Sequence, residues 1–133
     1  MTRYLDKQQF NAESADLIVP GKLVHLAAVR DGGALSLYVD GKKVGSALFP
    51  KDQKPSADLG FTIAKGFDGE IEQIRVSKSR RYDRAFVPAA VLEADADTVA
   101  LYRFDEGQGD KLTDSSGNGH HGKIVGAKWV KVR

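Results

Sequence analysis

The sequence contains no cysteine, which excludes disulfide bonds, thiolate metal sites and cysteine nucleophiles. No apolar run approaches the roughly 18 residues of a membrane-spanning helix, and residues 1–7 lack the apolar stretch of a signal peptide. Neither sign of charge dominates, because 20 basic residues stand against 18 acidic ones, giving a net charge of +2. So small an imbalance does not indicate a nucleic-acid or membrane partner.

The length and the turn residues together predict the class of fold. With 133 residues the chain has room for one core, so we predict a single domain over 1–133, on its own or within a larger protein. Its 14 Gly and 4 Pro punctuate short apolar runs, a pattern typical of strands joined by turns. The long stretches of 3.6-residue period that a helical bundle needs are missing. The sequence therefore predicts an all-β, antiparallel two-sheet β-sandwich.

A three-stranded meander is the clearest local prediction, with strands at 23–30, 34–39 and 43–48. Its turn signals are Asp-Gly-Gly at 31–33 and Asp-Gly at 40–41, where glycine accepts the positive φ of a tight hairpin. In the middle strand Leu35, Leu37 and Val39 alternate with more polar residues. A period of two predicts one buried face and one wetter face.

The rest of the chain gives shorter strand signals. Further strands are predicted at 3–5, 16–19, 59–64, 70–77, 99–104, 122–125 and 127–132, with loops at 49–57 and 105–121. The alternation over 70–77 is imperfect, and a β-bulge near Gln73 is one explanation for it. We expect 99–104 and 127–132 to be integral strands of the sheets, because an apolar strand without a partner would leave an exposed edge.

Three segments carry motifs that recur together in one family. Residues 23–42 contain LVHLAAVRDGG and LYVDGK, similar to a W-x-H-x-A strand and a hairpin ending in Y-V-D-G, with Leu23 in place of Trp. Residues 67–77, FDGEIEQIRVS, resemble a G-x-I-D-E-V-R-I strand. Residues 101–122 contain FDEGQG and DSSGNGHHG, similar to F-D-E-G-x-G and D-S-S-G-N-G-x-x-G. The chain thus resembles the laminin-G-like, concanavalin A-like jelly-roll superfamily.

That resemblance implies a fold and a kind of function. The family fold is two antiparallel sheets packed face to face, and its members are usually recognition or adhesion modules of secreted or surface proteins, some of which bind calcium. The third motif normally opens such a domain, whereas here it lies at 101–122. Two interpretations stay open: a complete domain with permuted strand order, which we favour because jelly rolls have neighbouring termini, or a fragment completed by another domain or chain.

Glu70 and Glu72 raise the question of catalysis. Related sandwich glycosidases carry alternating carboxylates on one strand, which supply a nucleophile and an acid. Here the third position of that pattern is Ile74 or Arg75, and neither can act as a general acid. We therefore expect no catalytic residue, and a glycoside hydrolase is a distant alternative.

The segment 114–119, DSSGNG, opens like an EF-hand loop. Position twelve would be Val125, where that loop requires a bidentate Glu, so an EF-hand is excluded. A looser calcium site with Asp114 and Asn118 as ligands stays open, and calcium is the one cofactor that the sequence suggests. The favoured alternative is an Asx-turn, in which these side chains bond to nearby backbone.

Five residues are candidate ligand-binding residues: Tyr82, Arg81, Trp129, His120 and Asn118. Tyr82 and Arg81 lie in a basic stretch, 78–84, that could meet a sulfated glycan. The favoured interpretation is a solvated loop that Tyr82 and Phe86 anchor to the sandwich. Trp129 could stack on a sugar ring if it faces solvent. His120 and His121 point apart on an extended chain, which makes zinc chelation unfavourable.

These features predict a non-catalytic recognition module that binds a carbohydrate or a protein partner. A structural domain that docks onto neighbouring domains or chains is the alternative. The resemblance implies an extracellular, periplasmic or cell-surface location, and no nucleic-acid partner or membrane span is expected.

Overall fold

The structure, a computed structural model, describes residues 2–5, 8–14, 18–48 and 61–131. Within these residues the regular elements are nine β-strands: β1 (Thr2–Leu5), β2 (Gln8–Asn11), β3 (Leu26–Asp31), β4 (Ala34–Val39), β5 (Lys42–Leu48), β6 (Ile74–Ser77), β7 (Thr98–Tyr102), β8 (Lys111–Leu112) and β9 (Gly122–Lys123). Every pairing is antiparallel. No helix long and apolar enough to cross a bilayer occurs in the described residues. The predicted all-β, antiparallel fold is confirmed.

The chain divides into two compact units. The first comprises residues 1–61 and 80–88, and the second comprises 62–79 and 89–133. The first unit holds the hairpin β1-β2 and the meander β3-β4-β5, and the second holds the pairs β6-β7 and β8-β9. The single domain predicted over 1–133 stays a prediction.

The meander forms in the predicted register. Asp31 pairs with Ala34 across a Gly-Gly turn, and Val39 pairs with Lys42 across Asp40-Gly41. Asp40 and Gly41 both have positive φ, +47° and +78°. That combination matches the primed turns whose twist suits a two-residue hairpin, so local turn chemistry accounts for this part of the fold.

Strand β4 is buried on both faces, which corrects the prediction of one wetter face. On one face Leu35, with 0% of its surface exposed, packs in a cluster with Ala12. On the other face Tyr38 is only 1% exposed. The rings of Tyr82 and Phe86, from the 80–88 segment of this unit, lie against Tyr38 with centroids 6.2 and 5.7 Å away. A distant segment therefore covers the face that alternation alone marks as wetter.

The core of the second unit is built on β7. Ala100, Leu101 and Tyr102 are at most 6% exposed. Ala100 and Tyr102 form one cluster with Leu112 of β8, and partly buried residues of the unit pack against it: Ile63, Ile74, Val76, Phe104 and Ile124. The pairing of β6 with β7 shifts register between Val76 and Ser77, leaving Val99 as an extra residue in β7. This bulge matters for the edge of the strand, described below.

Several predicted strand boundaries are wrong. No strand occurs at 18–19, 23–25, 61–64, 70–73, 103–104, 124–125 or 127–131, while β2 and β8 form where none was predicted. The predicted loop 49–57, and residues 16–17, 59–60 and 132 of predicted strands, lie outside the described residues.

Two side chains give physical reasons for these differences. Gln73 precedes β6, and its side-chain amide donates to Ala90 O at 3.1 Å and accepts from Leu92 N at 2.9 Å. At 127–131 the chain joins no ladder, and the indole N–H of Trp129 instead donates to Gly109 O at 2.9 Å. The integral strand predicted at 127–132 is therefore not found in its described part.

Gly41 is the residue on which the cover over Tyr38 most directly depends. Its carbonyl accepts the Phe86 N–H at 3.0 Å, and a Cβ on Gly41 would collide with the Phe86 carbonyl. Gly41→Ala therefore combines strain at positive φ with displacement of 80–88. Gly21→Ala is the control, because Gly21 also has positive φ, +83°, but open space around it. In urea unfolding we expect Gly41→Ala to cost at least about 2 kcal/mol and Gly21→Ala about 1 kcal/mol. Equal costs would contradict the close approach.

Candidate functional site

Residues 114–121, here called the edge loop, lie along the edge of β7 that is not paired with β6. Ser115 N–H donates to Leu101 O at 2.7 Å, and Ser116 Oγ lies 3.2 Å from Val99 O. The N–H of Asp114 donates to His121 Nδ1 at 3.1 Å. The loop thus supplies β7 with partners that a neighbouring strand would otherwise provide.

The carboxylate of Asp114 is the centre of this loop. It is 5% exposed, and each of its oxygens accepts two hydrogen bonds. Oδ1 accepts from the backbone N–H of Leu101 and of Ser116, both at 2.9 Å. Oδ2 accepts from Ser116 Oγ at 2.8 Å and from His120 N–H at 3.0 Å. One side chain therefore fixes both ends of the loop to the strand, which is the Asx-type interaction favoured above.

These hydrogen bonds decide the ionisation of Asp114. Burial by itself raises the pKa of a carboxyl group, but the donors from Leu101, Ser116 and His120 outweigh it and hold the pKa of Asp114 well below its usual range. Burial, and next the charge of Asp114, raise the pKa of Tyr102. The neutral phenol of Tyr102 donates to His120 O at 2.6 Å, a further bond between β7 and the edge loop.

Asn118 covers the β-bulge of β7. Its amide nitrogen donates to Thr98 O at 2.9 Å and to Val99 O at 3.0 Å. An asparagine amide has two hydrogens, so one side chain satisfies both carbonyls at the bulge. The side chain of Asn118 and the backbone N–H and C=O of His120 thus hold the loop in place, and His120 itself is exposed.

The edge loop does not fit a calcium ion in this arrangement. Calcium needs six to eight oxygen ligands, but both oxygens of Asp114 already face N–H and O–H donors. Among the described residues, no group of three or more His, Asp or Glu side chains is placed to hold a metal ion. Calcium binding by Asp114 and Asn118 stays an untested prediction.

Tyr82 and Arg81 lie in the first unit, and both residues are partly buried. The ring of Tyr82 stacks on Phe86, with centroids 3.5 Å apart and planes 7° apart, so one ring face is covered. His25 lies edge-on to both rings. Arg81 is half-buried. The expected anchoring of this segment by Tyr82 and Phe86 is what the structure shows.

Ion pairs offset much of the charge in the basic stretch. Arg80 contacts Asp31 at 2.6 Å and Asp83 at 3.9 Å. Arg84 lies 3.7 Å from Asp83. These pairs are largely exposed, so each contributes little to stability, but they leave a mixed rather than a strongly basic surface.

Trp129 is half-buried at the turn that contains Gly109. Its indole N–H donates to Gly109 O at 2.9 Å, which satisfies the only polar atom of the side chain. The bond restrains the orientation of the ring, and the residue as a whole is partly exposed. Tyr82 is also partly exposed, but Phe86 covers one face of its ring.

Glu70 and Glu72 are both exposed and precede β6. At Arg75, one possible third position of the glycosidase pattern, the guanidinium donates to Glu93 O at 3.1 Å. Glu70 and Glu72 therefore lie outside β6, so strand geometry does not place their carboxylates as the glycosidase pattern requires.

Sequence reasoning missed Ser116 and Tyr102 as members of the site. The spacing Asp-x-Ser at 114–116 is a signal that could have identified Ser116, because an Asx-turn bonds the N–H of the second residue after Asp to the carboxylate and so brings that residue's hydroxyl close to it. Tyr102 carries no such local signal, since its partner His120 is reached only through the fold.

Comparison with known proteins identifies the family of most of the chain. Residues 2–91 match the family model Laminin_G_3, described as the concanavalin A-like lectin/glucanases superfamily. The motifs at 23–42 and 67–77 lie inside this match, and the edge loop lies outside it. No curated protein and no solved structure matches the chain.

Replacement of Asp114 tests its role as the centre of the edge loop. In Asp114→Asn an amide NH₂ would face the donors of Ser116 and His120, so we expect a loss of about 2–3 kcal/mol in urea unfolding. Asp110→Asn is the control, because Asp110 is exposed and 3.9 Å from Lys123, and should change stability by less than about 0.5 kcal/mol. Similar effects of the two changes would refute a special role for Asp114.

The lowered pKa of Asp114 also predicts a pH dependence. Its pKa is lower in the folded chain than in the unfolded chain. Its contribution is therefore present above the unfolded value of about 3.9 and is lost as the pH falls further. We expect wild type to lose unfolding free energy more steeply than Asp114→Asn between about pH 4 and pH 2. Parallel curves in chemical denaturation would contradict this assignment.

Proposed function

Because the chain belongs to the concanavalin A-like lectin/glucanase superfamily, we propose that it is a non-catalytic recognition module with a carbohydrate ligand. Domains of this type commonly bind carbohydrate or protein. The superfamily also supports a jelly-roll fold for the antiparallel strands described above. Such domains often occur in extracellular proteins, and we propose a secreted, periplasmic or cell-surface location.

The observation that carries this proposal is the fixed, accessible indole of Trp129. Aromatic rings bind sugars by stacking on their C–H faces, and a ring held in one orientation loses little entropy on binding. The hydrogen bond from Trp129 to Gly109 O provides that orientation. The other aromatic candidate, Tyr82, has one face covered by Phe86, which favours Trp129 as the platform.

The polar candidates support the site rather than contact the ligand. Asp114, Asn118 and His120 direct their donors and acceptors to one another and to β7. These hydrogen bonds hold the edge loop against β7. We therefore propose that they position the loop of the second unit, the unit that also contains Trp129.

The absence of catalysis is part of the proposal. Glu70 and Glu72 lack the third carboxylate of the glycosidase pattern in the sequence, and both lie exposed before β6. A retaining mechanism needs a nucleophile and a protonated acid at a fixed separation, and this pair lacks the strand that would impose it. Turnover of a β-glucan that Glu72→Gln abolishes would contradict this part.

A protein partner is the second candidate function. Large apolar side chains of the first unit are widely exposed, including Leu23 at 77%, Leu48 at 81% and Val87 at 93%. Exposed apolar side chains of this size are a feature of surfaces that dock onto other proteins. This observation supports the alternative of a structural domain joined to neighbouring domains or chains.

The single tryptophan of the chain gives a direct test of carbohydrate binding. We expect titration with a β-glucan, a xylan or a sulfated glycosaminoglycan to change the emission of Trp129, because the ligand replaces water at the ring. In calorimetry with the same glycan, Trp129→Ala should weaken binding about tenfold or more, and Trp129→Phe should weaken it less.

Phe67→Ala is the matched control for this test. Phe67 is an aromatic residue of the same unit, 57% exposed, and its removal should leave affinity unchanged. Each variant must keep the melting temperature of wild type within a few degrees. Glycan binding that persists in Trp129→Ala would contradict Trp129 as the platform, and no response to any glycan would favour the protein-docking function.

A further inference from the structure

Asn118 combines a chemically reactive position with a defined structural task. It is exposed and is followed by Gly119, whose φ is +77° and around whose missing side chain no heavy atom lies within 4 Å. A backbone N–H that follows asparagine can attack the side-chain carbonyl, and glycine hinders this attack least. The other asparagine in the sequence, Asn11, is followed by Ala12.

We propose that Asn118 is a deamidation site whose modification releases the edge loop from β7. The backbone nitrogen of Gly119 attacks Cγ of Asn118 and its proton passes through solvent to Nδ2; the Cγ–Nδ2 bond then breaks and ammonia leaves, giving a five-membered succinimide. Water then opens the ring at either carbonyl, which yields aspartate or isoaspartate. The only co-reactant is water, and no oxidant or reductant takes part.

The folded loop protects Asn118 from this reaction. Both hydrogens of its amide are engaged at carbonyls, with Thr98 O at 2.9 Å and Val99 O at 3.0 Å. Its own N–H also donates to Ser116 Oγ at 3.3 Å. The leaving nitrogen must abandon both carbonyls before it can depart as ammonia, so the reaction proceeds through an opened loop. Its rate therefore follows the opening equilibrium.

The product cannot restore the closed loop. A carboxylate at position 118 only accepts hydrogen bonds, and it would face the carbonyl oxygens of Thr98 and Val99. Those two oxygens at the bulge lose their donors, and a negative charge is added to the loop that contains Asp114. A loop that has reacted therefore stays open, and the edge of β7 is left without the edge loop that covered it.

The first experiment follows the reaction in the wild-type chain. The protein is held in mildly alkaline buffer, natively and in urea, and peptide mass spectrometry follows the one-unit mass gain at Asn118. We expect the native rate to be slower than the urea rate by about tenfold or more. Asp114→Asn, with its loosened loop, should react at an intermediate rate. Equal rates in native buffer and urea, or no mass gain in urea, would overturn the proposal.

The second experiment tests the consequence with a product mimic. Asn118→Asp should lower the melting temperature and speed amide exchange at Leu101 and Ser115. Gln108→Glu is the control, because it makes the same amide-to-carboxylate change at an exposed turn residue and should alter neither. If Asn118→Asp melts and exchanges like wild type, deamidation does not release the loop and the proposal is wrong. If the mimic fails to fold while the control folds, its severity supports the assigned role.

Discussion

The second unit depends on one buried carboxylate. Asp114 accepts three backbone N–H bonds and one hydroxyl bond, and its removal would leave the amides of Leu101 and His120 without their acceptor. Buried donors without partners cost more free energy than a formed hydrogen bond gains. Ser115 and Asn118 add hydrogen bonds to the backbone carbonyls of β7. A strand edge is thereby covered by side chains and loop backbone, without another strand.

In the first unit a strand is also covered by a segment without regular structure, but the contacts are apolar rather than polar. The face of β4 that carries Tyr38 is covered by the Tyr82–Phe86 stack. One backbone bond, from Phe86 N–H to Gly41 O, fixes the position of that segment. In each unit a segment without regular structure packs against a strand and covers part of its surface. Trp129, the residue proposed for carbohydrate binding, is held by a hydrogen bond from its side chain to a loop carbonyl.

The sequence was most informative where structure is local. The Asp-Gly and Gly-Gly turns and the alternation over 34–39 predicted both turns and the middle strand of the meander, because turn chemistry and period act between neighbours. The first strand begins at Leu26, three residues later than predicted. Alternation could not show that Tyr38 is buried, since its cover comes from residues 82–86. Alternation also predicted a strand at 127–131, where the backbone joins no ladder and the Trp129 side chain donates to Gly109 O. For the site, the DSSGNG segment was recognised as a turn or metal loop, but its docking on β7 required the fold.

Amide exchange at Leu101, Ser116 and His120 tests the central claim most directly, because their N–H groups all donate to Asp114. The exchange rates would be measured by NMR in protein treated with a chelator and again after calcium is added. If the chain's own donors fill the carboxylate, all three amides are protected in the chelator and calcium leaves their rates unchanged. Fast exchange in the chelator, with protection only after calcium is added, would contradict the account and make Asp114 a metal ligand.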